Sequence, residues 1–180
     1  MEHAKQEIRW VLLAQAGDRE AFDHLLRLVQ EPLYGYISSL VGNRALAEDI
    51  LQEVFILIYR KLRWLREPEL FRPWAYRIAS REAFKYIKRE RRWAESSVDE
   101  SALAELPSPP RDALTNEFIE SLPQLVAQIS PASRAVIVLH YLHEMPLGEI
   151  ATVLGLSLGT VKSRLAYGLD HLRKQMRCIF

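Results

Sequence analysis

Between Ala45 and Leu65 the apolar side chains recur at a helical period, not a strand period, and this constrains the fold more than any other feature of the chain. Turning the segment by about 100° per residue gathers Leu46, Ala47, Ile50, Leu51, Val54, Phe55, Leu57, Ile58 and Leu62 onto about half the circumference. A helix of this kind must bury one face against other helices. Two further stretches share the period, Pro73 to Trp93 and the segment beginning at Leu158. Only 7 Gly and 9 Pro occur among 180 residues, too few for the tight turns of a β-rich chain of this length. The fold class expected is all-α.

Breaks in the pattern divide the chain. Gly17-Asp18 reads as a stop and an N-cap before a helix over Arg19 to Val29, Pro32 as the opening of another helix through Leu40, and Gly42-Asn43 as the next break. Around Ser96-Ser97 and Pro107-Ser108-Pro109-Pro110 the residues are small, acidic or proline, a composition that buries little. Two small helical domains are therefore expected, at 1–95 and 116–180, joined by a flexible acidic linker at 96–115.

A net charge of +1 conceals strong segregation. From Arg60 to Arg92 there are 12 basic and 4 acidic residues, net +8, whereas Glu95 to Glu120 has 7 acidic and 1 basic, net −6. That layout predicts an anion-binding surface followed by an acidic strap. The longest unbroken apolar run, Val54 to Tyr59, is six residues, so no membrane insertion is expected, and Met1-Glu2-His3 does not open a signal peptide. A single cysteine, Cys178, allows no internal disulfide and fits a reducing cytoplasm.

Three surfaces stand out as candidates. On the helix over 45–65 the face opposite the apolar one carries Glu48, Asp49, Gln52, Glu53, Tyr59, Arg60 and Arg63, with Ile56 alone among them: a solvated face, or an acidic docking patch with one apolar contact. On the next helix Arg77, Arg81, Lys85, Lys88 and Arg92 line up at i, i+4, i+8, i+11 and i+15, with Arg89 beside them. Like charges at such spacing repel, so the stripe gains most when polyanionic phosphates neutralise it. Phe71 and Trp74 start this face with Ile78, as stacking platforms for unpaired bases or as core residues. The third surface is a helix-turn-helix: Pro146 to Leu154 forms the supporting helix, Gly155-Leu156-Ser157 the turn, and Leu158 begins the second helix. Leu158, Val161, Leu165, Leu169 and Leu172 are expected inward. Thr160, Ser163 and Tyr167 then face outward, flanked by Lys162, Ala166 and Arg164, residues suited to base edges and phosphates in a major groove.

Enzymatic parts are sparse. There is no Gly-Lys-Ser/Thr phosphate loop, GxGxxG or CxxC. Glu48, Asp49 and Glu53 lack a converging partner for paired metals, and His140, His143 and Glu144 have no nearby Cys to complete a zinc site. No catalysis, cofactor, metal or small-molecule substrate is expected.

In order, Asp18-Arg19-Glu20-Ala21-Phe22, Ala47 to Phe55, Phe71 to Ala79 and Gly159 to Leu165 resemble the bacterial extracytoplasmic-function sigma factors, in their minimal two-domain form. The resemblance implies a cytoplasmic protein that binds core RNA polymerase, directs it to promoter DNA and assists promoter melting. It assigns Asp49, Gln52, Glu53 and Ile56 to polymerase docking. Trp74, Arg77, Arg81, Lys85, Lys88, Arg89 and Arg92 fall to the downstream promoter element and melting. Thr160, Lys162, Ser163, Arg164, Ala166 and Tyr167 fall to the upstream element, and an anti-sigma factor is implied as a further partner. Arg81 and Lys85 stand where the family usually has Asn and Asp, and Tyr167 where it commonly has Arg, so the promoter sequence does not carry over from relatives. A stand-alone helix-turn-helix regulator is the alternative, but it leaves the acidic face and the basic stripe without a linked role.

Overall fold

The computed structural model describes residues 2–96 and 128–179, with side chains over 5–92 and 128–175. Among the described residues every regular element is helical. The order is α1 (Glu2–Gln15), α2 (Arg19–Val41), α3 (Arg44–Lys61), 3-10 turns at Leu62–Trp64 and Pro68–Leu70, α4 (Phe71–Ser96), α5 (Pro131–Tyr141), α6 (Leu147–Leu154) and α7 (Leu158–Ile179). The segment expected to be a linker lies, apart from Ser96, outside the described residues.

Short polar residues start the helices by accepting backbone N–H groups that have no partner within the first turn. Asp18 Oδ1 accepts from Ala21 N at 3.0 Å, Asn43 Oδ1 from Leu46 N at 3.0 Å, Ser130 Oγ from Ser133 N at 3.3 Å and Ser157 Oγ from Thr160 N at 3.2 Å. Gly42, at φ 69°, ends α2 in the left-handed conformation and returns its N–H to Ser38 O at 2.9 Å. These caps fix where the chain turns.

Two readings of the helices need correction. Pro32 does not open a second helix; α2 runs unbroken for 23 residues with the proline inside it. An interior proline costs about 3 kcal/mol. Beyond it, Leu33, Tyr36, Ile37 and Leu40 are all buried, and at roughly 1.5–3 kcal/mol for each large apolar side chain their burial outweighs that cost. The helix read over 45–65 ends earlier, at Lys61, where a 3-10 turn takes over. Gln15, on the unforeseen helix α1, secures that turn by donating Nε2 to Leu62 O at 2.9 Å and Leu65 O at 2.7 Å.

Helices α2, α3 and α4 pack on one another with α1 against α2, and α5, α6 and α7 pack as a second group. The two groups touch. Helix α2 meets α5 and α4 meets α6, so one apolar cluster runs from Val11 and Tyr36 through Phe71 and Ala79 to Leu139, Ile150 and Val161.

Candidate functional site

The apolar stripe of α3 lies in the core, with Ala47, Ile50, Val54 and Ile58 fully buried. This leaves Glu48, Asp49, Gln52, Glu53 and Ile56 on the outer face, all exposed. Ile56 keeps 46% of its surface open and Tyr59, one turn on, 70%. The face is an anionic shelf with an apolar end.

Helix α4 crosses beside it. Arg81, Lys85, Lys88, Arg89 and Arg92 are exposed, while Arg77, nearest the packed end, is half-buried. The stripe is less bare than its spacing implied. Lys85 Nζ pairs with Glu82 Oε2 at 3.0 Å, and that hydrogen bond, with the fields of Glu82 and Glu53, holds its ammonium above the ordinary lysine range. Arg89 places its guanidinium 4.6 Å from the Tyr86 ring centroid, a cation–π contact that orients it. Tyr86, Arg89 and Glu90 line, with Leu46, an open depression of about 460 Å³ between α3 and α4.

The aromatic readings separate. Phe71 is fully buried and Ile78 nearly so, which makes both core residues and removes them from any stacking surface. Trp74 is half-buried, with its ring 6.3 Å from that of Phe71. An aromatic passed over in the sequence lies open instead: Trp64, 61% exposed on the 3-10 turn between α3 and α4, carries the Arg63 guanidinium 4.0 Å from its ring centroid. Its signal was weak, because it falls off the apolar stripe of a helix whose period carries on to Leu65.

In the second group α6 ends at Gly155, and α7 follows after a three-residue turn. Val161 is fully buried against the supporting helix, whereas Leu158, expected inward, is 44% exposed at the first position of α7. Lys162, Ser163, Ala166 and Tyr167 are exposed; Thr160 and Arg164 are half-buried. Two hydroxyls are already engaged locally, Thr160 Oγ1 with Ser157 Oγ at 2.9 Å and Ser163 Oγ with Thr160 O at 3.0 Å. Tyr167 stacks on His171, ring centroids 6.4 Å apart. His140 and His143 hydrogen-bond through Nδ1 to Met145 O at 3.0 Å and Tyr76 Oη at 2.8 Å, and no cluster of three metal-ligating side chains occurs among the described residues.

Known proteins match this arrangement along the chain. Sigma-70 region 2 matches residues 22–93, the span of α2 to α4, and sigma-70 region 4 matches 125–174, the span of α5 to α7. The ECF RNA polymerase sigma factor SigW of Bacillus subtilis is 31% identical over 171 residues, 89% of this chain and 91% of its own length. The RNA polymerase sigma-H factor of Pseudomonas aeruginosa is 31% identical over 183 residues, covering 96% and 95%. The chain belongs to the extracytoplasmic-function sigma factors of RNA polymerase.

As a sigma factor it directs RNA polymerase to promoters for transcription initiation. Solved structures share the fold of this sigma factor: CnrH, in complex with the cytosolic domain of CnrY, at a TM-score of 0.72 and 22% identity over 96% of this chain and 98% of that one. RpoE, in complex with the anti-sigma factor NepR from Bartonella quintana, gives 0.71 and 19% over 87% and 96%. Both groups of helices in the sigma factor therefore have counterparts in folded relatives. No helix among its described residues is long and apolar enough to cross a membrane.

Proposed function

We propose that this sigma factor works as an adaptor without chemistry of its own, acting in the cytoplasm through three surfaces. Asp49, Gln52, Glu53 and Ile56 dock on core polymerase. Trp74, Arg77, Arg81, Lys85, Lys88, Arg89 and Arg92, extended by Trp64, meet the downstream promoter element and help to melt it. Thr160, Lys162, Ser163, Arg164, Ala166 and Tyr167 read the upstream element. The functional units are residues 1–95 and 116–180, with 96–115 as tether. The observation that carries the reading is the exposure, on adjacent helices of one unit, of an anionic shelf and a cationic stripe. A chain that only bound DNA would lose affinity from an acidic face beside its basic one. An anti-sigma factor is proposed as a further partner, since the relative RpoE is seen with one.

Transcription in vitro with core polymerase on a library of genomic fragments tests the reading and returns the promoter. Within it, Asp49→Lys with Glu53→Lys is expected to abolish polymerase binding while leaving the thermal midpoint within a few degrees, both side chains being exposed. Unchanged affinity in competition would remove the docking role. Operator binding at physiological salt with no effect of polymerase would instead make the chain a stand-alone regulator.

A further inference from the structure

Helix α1 lies ahead of the residues matched to sigma-70 region 2, which begin at 22, and carries none of the three proposed binding surfaces. It is nonetheless firmly seated. Val11 is fully buried, and the Trp10 ring stacks on His24 of α2 with centroids 4.8 Å apart. From that footing α1 reaches both ends of the loop between α3 and α4. Gln15 Nε2 donates to Leu62 O at 2.9 Å and to Leu65 O at 2.7 Å, while Glu7 Oε2 accepts from Arg72 Nε, at the start of α4, at 2.8 Å. Glu7 and Gln15 stand about 12 Å apart along α1, at roughly 1.5 Å of rise per residue, so the helix splints the loop.

The two carbonyls held by Gln15 bracket Arg63 and Trp64. Leu62 O also accepts from Leu65 N at 3.0 Å, which closes the 3-10 turn. Leu62 is buried and Leu65 half-buried, so the turn is pinned on its inner side and Trp64 is left 61% exposed. The Arg63 guanidinium, 4.0 Å from the ring centroid, takes one face of the indole and leaves the other for a base. Both partners of the Gln15 amide are acceptors, so only its nitrogen serves them; an alkyl group or a carboxylate of similar size would not.

Rigidity matters here for an energetic reason. Stacking an unpaired base on an aromatic ring gains about as much as it costs in entropy to fix one residue's backbone. A ring on a loose turn would lose that gain to its own ordering, whereas a ring already held keeps it for the base.

From this geometry we infer that Gln15 is a positioning residue for promoter melting: through the Leu62 and Leu65 carbonyls it holds Trp64 as a preformed platform for an unpaired base. The inference deepens, and rests on, the functional reading above, in which Trp64 takes part in melting.

The test uses the full chain bound to core polymerase on the promoter returned by the genomic-fragment experiment, with 2-aminopurine in the melted segment reporting opening. Gln15→Leu keeps the approximate size of the side chain and deletes the donor. At saturating holoenzyme it is expected to slow opening about tenfold, the effect of losing the amide's hydrogen bonds. Affinity for core polymerase and for the duplex promoter should stay within about twofold of the parent. On a template that already carries an unpaired bubble, the variant should start RNA as fast as the parent. Gln15→Asn, whose amide falls one methylene short, is expected to behave as Gln15→Leu does and replaces it if the leucine lowers the thermal midpoint. Trp64→Ala should slow opening at least as much, and adding Gln15→Leu to it should cause no further loss, since both act through one ring. Unchanged opening by Gln15→Leu beside slow opening by Trp64→Ala overturns the positioning role alone. Additive losses in the double variant, or an equal loss on the premelted template, do the same. Normal opening by Trp64→Ala removes Trp64 from the functional reading, and the inference with it.

Discussion

At Gly168 the second helix of the helix-turn-helix comes so close to α5 that a Cβ would lie 2.5 Å from Ile137 Cδ1 and 3.4 Å from Ser133 Cβ. A glycine inside a helix costs about 1 kcal/mol relative to alanine, so close approach is the reason for tolerating one here. The sign of Gly168→Ala follows from what can move. The nearest atom ends a flexible side chain, and turning Ile137 off its rotamer costs about 0.5–1.5 kcal/mol, which nearly cancels the helix gain. The expected change in unfolding free energy is within about 1 kcal/mol of zero. Ile137→Val removes the clashing methyl group, so in that background the alanine should stabilise; a double-mutant cycle in denaturant shows the coupling. Gly168→Leu has no such escape and is expected to destabilise by about 1–3 kcal/mol. Asn43→Ala tests the cap of α3, and the loss of the bond to Leu46 N should cost about 1 kcal/mol.

Each helix balances a face that packs against one that binds, and α4 shows where the balance is set. Removing Lys88, Arg89 and Arg92 together should lower the salt dependence of promoter binding by about 0.9 for each duplex phosphate that is no longer neutralised. An unaltered slope would mean that these side chains are merely solvated. Glu82→Gln should act in the opposite direction, because it frees Lys85 from its 3.0 Å ion pair; DNA affinity at low salt is expected to rise. Both the packed and the exposed face of α3 were legible in the sequence, since a 3.6-residue period dictates which side chains share a side. The course of α2 was not, because the burial that carries it through Pro32 comes from helices distant in the chain. The capping of α2 by Arg134 likewise joins residues 95 and 94 positions apart. Local pattern contains no trace of such pairs.

The molecule as a whole is one apolar cluster spanning both groups of helices, with a seam whose polar contacts include one imidazole, that of His143. Burial holds the His143 imidazole below its ordinary pKa of 6.5. Burial also pushes the Tyr76 phenol up to about 12, so the phenol stays protonated and can donate to the neutral ring at Nδ1. The groups facing the imidazole are Tyr76 from α4 and Tyr36 from α2; the nearest fixed charge acting on Tyr76 is Arg72, itself paired with Glu7 at 2.8 Å. None of these favours an imidazolium. The folded state therefore binds fewer protons than an unfolded chain with a solvated histidine. The stability contributed by the neutral His143 is fully present above pH 6.5 and is lost as pH falls below it, until the folded state itself takes up the proton. The urea midpoint of the sigma factor should be lower at about pH 5.5 than at about pH 8. His143→Asn, which offers an acceptor near the Nδ1 position without titrating, should flatten that dependence. A profile identical in the variant would assign the acid response to other groups and leave the seam indifferent to the charge of His143.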